Sequence, residues 1–176
     1  GGMLVAEFLA DTGTACSLGA GSSLTINGGG LAIDDVADNT TNRSLAIGTS
    51  GATLAVANPA LALNLSGTVS GDGNLNISGA GRVVFNGTNN HTGTTSVQSG
   101  ATFELAGTTA PSPGAYTVDG TLAINRSATT TLSQGISGGG SLLKQNSGQL
   151  TLPTANTFSG GTTIAAGAIL IQNAGS

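Results

Sequence analysis

The sequence predicts an all-β chain wound as a solenoid, and three observations carry that reading. Apolar residues recur at i and i+2 in short runs, and no stretch holds a 3.6-residue period. Gly (30), Thr (25), Ser (18) and Asn (14) make up about half of the 176 residues, whereas Lys+Arg (4) and Asp+Glu (8) leave few of the side chains that support surface helices. A long segment also repeats itself without gaps 67 residues further on.

The elements follow in order from the alternation. SLTI (23–26), GLAI (30–33), SLAI (44–47), ATLAV (52–56), LALNL (61–65), NLNI (74–77) and RVVF (82–85) read as strands with one apolar face. TSV (95–97), TFEL (102–105), YTV (116–118), TLAI (121–124), QLTL (149–152), TTI (162–164) and AILI (168–171) continue the series. Between them lie Gly, Asn, Ser and Asp, which tolerate positive φ or close turns through their side chains. The opening GGMLVAEFLA carries Glu7 within its apolar stretch and has no basic lead, so it is not an intact signal peptide. No run approaches the ~18 apolar residues of a transmembrane helix.

A β-sandwich would also use many short strands, but its ~10 Å core asks for large side chains. This chain has four Phe, one Tyr and no Trp. Small, uniform side chains suit a narrow interior of stacked equivalent positions. The segment from Val69 aligns with that from Ile136, matching Ser70/Ser137, Gly73/Gly140, Leu75/Leu142, Gly81/Gly148, Asn89/Asn156, Gly93/Gly160 and Gly100/Gly167. Val83/Leu150, Phe85/Leu152 and Val97/Ile164 keep the same apolar spacing. Read as three turns, 67 residues give roughly 22 per turn, a reasonable coil for a stacked repeat. The expectation is one solenoid domain over residues 1–176, of roughly eight rungs and about 40 Å long at ~4.8 Å per rung. Leu75, Val83, Phe85, Leu142, Leu150 and Leu152 should point inward in equivalent ladders, with the few charges outside.

The pattern ISGGGSLLKQNSGQLTLPTANTFSGGTTIAAGAILI closely resembles the passenger-associated repeat of bacterial autotransporters. That repeat has a Gly-rich turn, an alternating strand, then Asn-x-aromatic-x-Gly-x-Thr and a closing strand. The copy at about 136–171 places Phe158 in the aromatic slot, while the copy at about 69–105 places His91 there. The resemblance implies a right-handed parallel β-helix, extracellular or at the cell surface of a Gram-negative-type bacterium.

Composition excludes some functions directly. Four cations and few aromatics cannot form a nucleic-acid-binding face. Cys16 stands alone, so no intramolecular disulfide or Cys metal pair exists. With no flanking cation to lower its pKa, it reads as a small buried hydrophobe. Asp34, Asp35 and Asp38 follow glycines as in calcium-binding β-roll repeats, but calcium needs six to eight oxygens. A solvated turn with Arg43 as an ion-pair partner is the better reading. His91 lacks a second His or adjacent carboxylate and reads as a packed, hydrogen-bonded imidazole. Polysaccharide-cleaving β-helices need paired carboxylates, and Asp72, Glu104 and Asp119 fall on separate turns. Asn-x-Ser/Thr sequons at Asn39, Asn42, Asn64, Asn76, Asn86, Asn90 and Asn125 follow from the composition.

The sequence therefore nominates no catalytic, cofactor-binding or metal-binding residue and no cofactor. It points to a non-enzymatic structural or adhesive surface module that associates with copies of itself, end-on through the uncapped strand Ala168–Ile171 or laterally through Asn and Thr. Host or cell-surface glycans are further expected partners. The alternative is an ice- or glycan-binding solenoid, suggested by Thr94–Thr95, Thr129–Thr131 and Thr162–Thr163. A polysaccharide-cleaving enzyme ranks below both.

Overall fold

A computed structural model describes residues 2–16, 18–34, 37–107, 111 and 114–172. Among the described residues there are twenty short strands and no helix. They are β1 (Met3–Ala6), β2 (Ser23–Ile26), β3 (Gly29–Ile33), β4 (Asn39–Thr41), β5 (Ser44–Ile47), β6 (Ala52–Val56) and β7 (Ala62–Leu65). Next come β8 (Val69–Gly71), β9 (Leu75–Ser78), β10 (Arg82–Phe85), β11 (Thr95–Val97), β12 (Thr102–Leu105), β13 (Tyr116–Val118) and β14 (Thr121–Asn125). The series ends with β15 (Thr130–Thr131), β16 (Ile136–Ser137), β17 (Ser141–Gln145), β18 (Gln149–Leu152), β19 (Thr162–Ile164) and β20 (Ala168–Ile171).

All the strand pairings are parallel, and they build a three-sided solenoid. Face 1 is a seven-stranded sheet in the order β1-β3-β6-β9-β11-β13-β16. Face 2 is a second seven-stranded sheet, β4-β7-β10-β12-β14-β17-β19. The third side carries two three-stranded sheets, β2-β5-β8 below and β15-β18-β20 above. A bridge from Val69 to Asn89 extends the lower one. The two longer sheets each hold seven strands, in keeping with the roughly eight rungs expected, so the described stack is about 30 Å long.

The turn length differs from the expected 22. Register offsets are 20 for Leu75↔Thr95, 20 for Arg82↔Thr102, 19 for Thr102↔Thr121 and 20 for Leu142↔Thr162. Earlier turns are longer, with Gly29↔Ala52 offset by 23 and Met3↔Gly30 by 27. Sixty-seven residues thus make three turns and one further side, because Leu75 to Arg82 already advances the chain from face 1 to face 2. β9 lies on face 1 while its sequence counterpart β17 lies on face 2. β10 lies on face 2 while its counterpart β18 lies on the third side. The expected equivalent ladders are therefore rotated by one side of the prism, although all six named residues are buried.

Inside, like residues stack on like. Face 1 contributes Leu31–Leu54–Ile77–Val97–Val118, and face 2 contributes Leu63–Val83–Phe103–Leu122–Leu142. None of these side chains is more than 2% exposed. Each such burial contributes about 1.5–3 kcal/mol relative to exposure. No turn could hide its apolar face alone, so stability accumulates between neighbouring turns. The corners explain the glycine content. Gly73 sits on the Gly48 carbonyl, Gly93 on that of Gly73 and Gly114 on that of Gly93, and an added Cβ at any of the three would overlap that oxygen.

Candidate functional site

Three of the four cations lie inside, contrary to the expectation that charges stay outside. Arg43, Arg126 and Lys144 are 5%, 3% and 0% exposed. Strand ends leave carbonyl groups at the corners, and a buried cation is tolerable where such oxygens surround it. Arg43 donates from Nε to the Ala10 carbonyl (2.9 Å) and from Nη2 to the carbonyls of Thr14 (3.2 Å) and Gly19. Lys144, inward-facing on β17, donates to the carbonyls of Gln145 and Asn146. Burial pushes the pKa of both Arg126 and Lys144 down.

Cys16 is less buried than expected and lies beside Arg43. The thiol is part-buried, and Arg43 Nη2 lies 3.5 Å from its Sγ across 27 residues of sequence. Backbone hydrogen bonds at Ala10 and Leu18, with Arg43 adding, hold the thiol below its ordinary pKa. No flanking cation exists in sequence, but the fold supplies one. Arg43 is consequently engaged by carbonyls and sulfur, and among the described residues neither Asp34 nor Asp38 forms an ion pair with it. In the acidic turn Asp34 is exposed, Asp38 accepts the Ala62 N–H (2.7 Å), and Asp35 lies outside the described residues. Among the described residues, no three His, Cys, Asp or Glu side chains gather as for a metal ion.

His91 behaves as read. It is 0% exposed, and its Nε2 lies 2.6 Å from the Gly73 carbonyl oxygen. Burial lowers its pKa, and the Gly73 contact acts in the opposite direction. Its counterpart Phe158 packs half-buried against the core. The three carboxylates considered for glycan cleavage remain on separate turns. Asp119 accepts the Gly139 N–H (2.9 Å), Asp72 is exposed before β9, and Glu104 sits mid-strand on β12. Among the sequons, Asn39 is 2% exposed and its Oδ1 holds the Leu9 N–H (2.7 Å).

The outward surfaces differ by side. Face 1 shows a continuous ladder Thr53–Asn76–Ser96–Thr117–Ser137, one residue per turn and none charged. The Thr pairs form no such array, since Thr95 and Thr130 point inward at 1% and 4% exposure. Face 2 shows the one ion pair found among the described residues. Glu104 Oε2 meets Arg82 Nη1 at 3.3 Å, and its Oε1 accepts from Asn125 Nδ2 at 2.8 Å. Sequence reading overlooked this trio, which sits 22 and 21 residues apart and therefore meets diagonally on consecutive turns once the turn length is about 20. At the stack's two extremes, Val5 and Phe8, and Ile164 and Ile171, are more than half exposed.

Residues 75–105 and 142–171 match the passenger-associated transport repeat. Each match starts and ends on a strand, running β9 to β12 and β17 to β20. Within each, the third strand stacks on the first and the fourth on the second. The two matches span about a third of the chain, and with the parallel solenoid they make it similar to the passengers of autotransporters, a likeness that implies a setting at the cell surface or outside a Gram-negative bacterium. The chain is 38% identical over 103 residues to an adhesin, the BmaC autotransporter of Brucella suis biovar 1 (strain 1330). That stretch is 55% of this chain and 3% of the relative. No solved structure is significantly similar to the chain.

Proposed function

We propose that the chain is a non-enzymatic adhesive stretch of an exported passenger, one solenoid domain that works by surface contact and also associates with copies of itself. The uncharged ladder on face 1 carries this reading. Hydroxyl and amide groups repeated every ~4.8 Å can match a second polar rod over several turns, and no like charge opposes the approach. The adhesin relative supports the adhesive part. The non-enzymatic part is supported by the single His being buried in the interior and by Glu104 already holding two partners. Inward-turned Thr95 and Thr130 lend no support to an ice-binding array.

Light scattering and electron microscopy of the purified chain test self-association, and adhesion of cells displaying it tests surface contact. The reading expects concentration-dependent assembly that Ser96→Lys with Thr117→Lys abolishes. Assembly that persists unchanged in this double variant would reject face 1 as the contact. Monomers at every concentration would reject self-association altogether.

A further inference from the structure

We propose that the groove on the outside of face 2, centred on Glu104, binds a neutral mono- or disaccharide. The inference deepens the surface-contact reading and rests on it. The groove encloses about 310 Å³, at the small end of the range for small-molecule sites.

Glu104 is an unusual occupant of its position. It points outward from the middle of β12, yet it is only 5% exposed. Its neighbours in the same outward ladder are Val84, Ala123 and Leu143, all apolar. Another apolar residue would pack there at least as well, because a buried ion pair often stabilises no more than its hydrophobic replacement. The carboxylate is also held in place from both flanking turns, by Arg82 below and Asn125 above. A fixed, nearly buried carboxylate in a chain with only eight acidic residues is better explained by a ligand than by packing.

The chemistry of the groove selects the ligand. The Arg82–Glu104 pair is neutral overall, so an anion would meet Glu104 and a cation would meet Arg82. Arg82 is 48% exposed and has further N–H donors beyond the one facing Glu104. Glu104 has lone pairs left to accept from hydroxyls. Gln145 lies in register beside Asn125 and adds an amide that both donates and accepts. Pro59 and Leu61, from the loop before β7, together with Leu143, supply apolar surface to the same groove. Clustered donors and acceptors beside aliphatic surface suit a sugar ring, whose hydroxyl edge and C–H faces make the same two demands. An extended peptide is disfavoured, because β12 is paired on both sides and offers no free backbone edge.

Saturation-transfer NMR on the purified chain, with cellobiose, lactose, maltose, N,N′-diacetylchitobiose and methyl β-glucoside as probes, tests this. At least one neutral sugar should bind. Glu104→Gln and Arg82→Ala should weaken it by about tenfold or more, the effect of losing one charge-assisted hydrogen bond, and Ser50→Ala, at an exposed corner outside the groove, should not. Gln145→Ala provides a second groove variant if Glu104→Gln melts early by circular dichroism. No response from any of the five sugars, or a response equal in all groove variants, would overturn the site. Light scattering on the same samples separates the two readings: silent sugars with intact self-association reject the groove alone, whereas loss of both rejects the contact module too.

Discussion

Replacing Phe103 with Ala probes the interior where it is tightest. Phe103 is fully buried, and its ring meets Phe85 edge-on with centroids 4.8 Å apart and planes at 87°. Val83 and Leu122 sit directly below and above it in the ladder. Those neighbours are tied to their own turns by parallel hydrogen bonds, so they cannot close the space left behind. Truncation should cost about 3–5 kcal/mol, the transfer loss plus the cavity. About 0.5–1.5 kcal/mol of this belongs to the ring pair and should appear as coupling in a double-mutant cycle with Phe85→Ala. At about 2–4 °C per kcal/mol for a chain of this size, the melting point should fall by roughly 6–20 °C. Since each turn touches only its neighbours, amide exchange should accelerate first in β10, β12 and β14. Circular dichroism melting with hydrogen exchange measures both. A melting point within about 2 °C of the parent, or protection lost evenly from β3 to β18, would refute the stacked-turn account.

Other perturbations test separate features. Leu150→Asp places an unpaired charge in the dry interior at a cost of several kcal/mol, and should unfold β15, β18 and β20 first by hydrogen exchange. Gly93→Ala drives a methyl group into the Gly73 carbonyl and should destabilise by at least about 1–3 kcal/mol, measured by denaturant titration; a neutral result would contradict the glycine column. His91 titrates below its ordinary value of 6.5 because burial favours the neutral ring. Its contribution to stability is therefore complete above 6.5 and is lost as pH falls through the lower folded value. His91→Phe, the side chain at the matching position of the second repeat, should flatten the melting-point-versus-pH curve in that window, and an unchanged slope would assign the acid sensitivity elsewhere.

Strands with apolar alternation were legible from the sequence because their inward positions are Leu, Ile, Val or Phe. RVVF (82–85) and TFEL (102–105) became β10 and β12 residue for residue. The strands that escaped include β4 and β17, whose inward residues include Asn39, Thr41 and Lys144. Polarity there is matched by partners far along the chain, such as the Ala10 carbonyl that accepts from Thr41 Oγ1 (2.9 Å), and no local pattern announces them. The turn length was readable but overshadowed. Gly67, Gly87 and Gly107 recur at intervals of 20, as do Gly100, Gly120, Gly140 and Gly160, yet the 67-residue repeat is the louder signal. The contact between Arg43 and Cys16 could not be read locally, because the two residues stand 27 apart in sequence.

The one-side offset between the repeats bears on how such a protein can change over generations. Misaligned recombination between the two aligned repeat segments deletes or duplicates 67 residues. The exchanged strands are interchangeable in register, so the product still winds as a solenoid. Everything beyond the crossover, however, arrives turned by one side of the prism, and residues that faced one direction now face the next. A gain or loss of 20 residues, by contrast, changes reach and preserves bearing. Two kinds of genetic accident thus act on two separate properties, length and aim, and old surfaces can be presented in a new direction without new ones being invented.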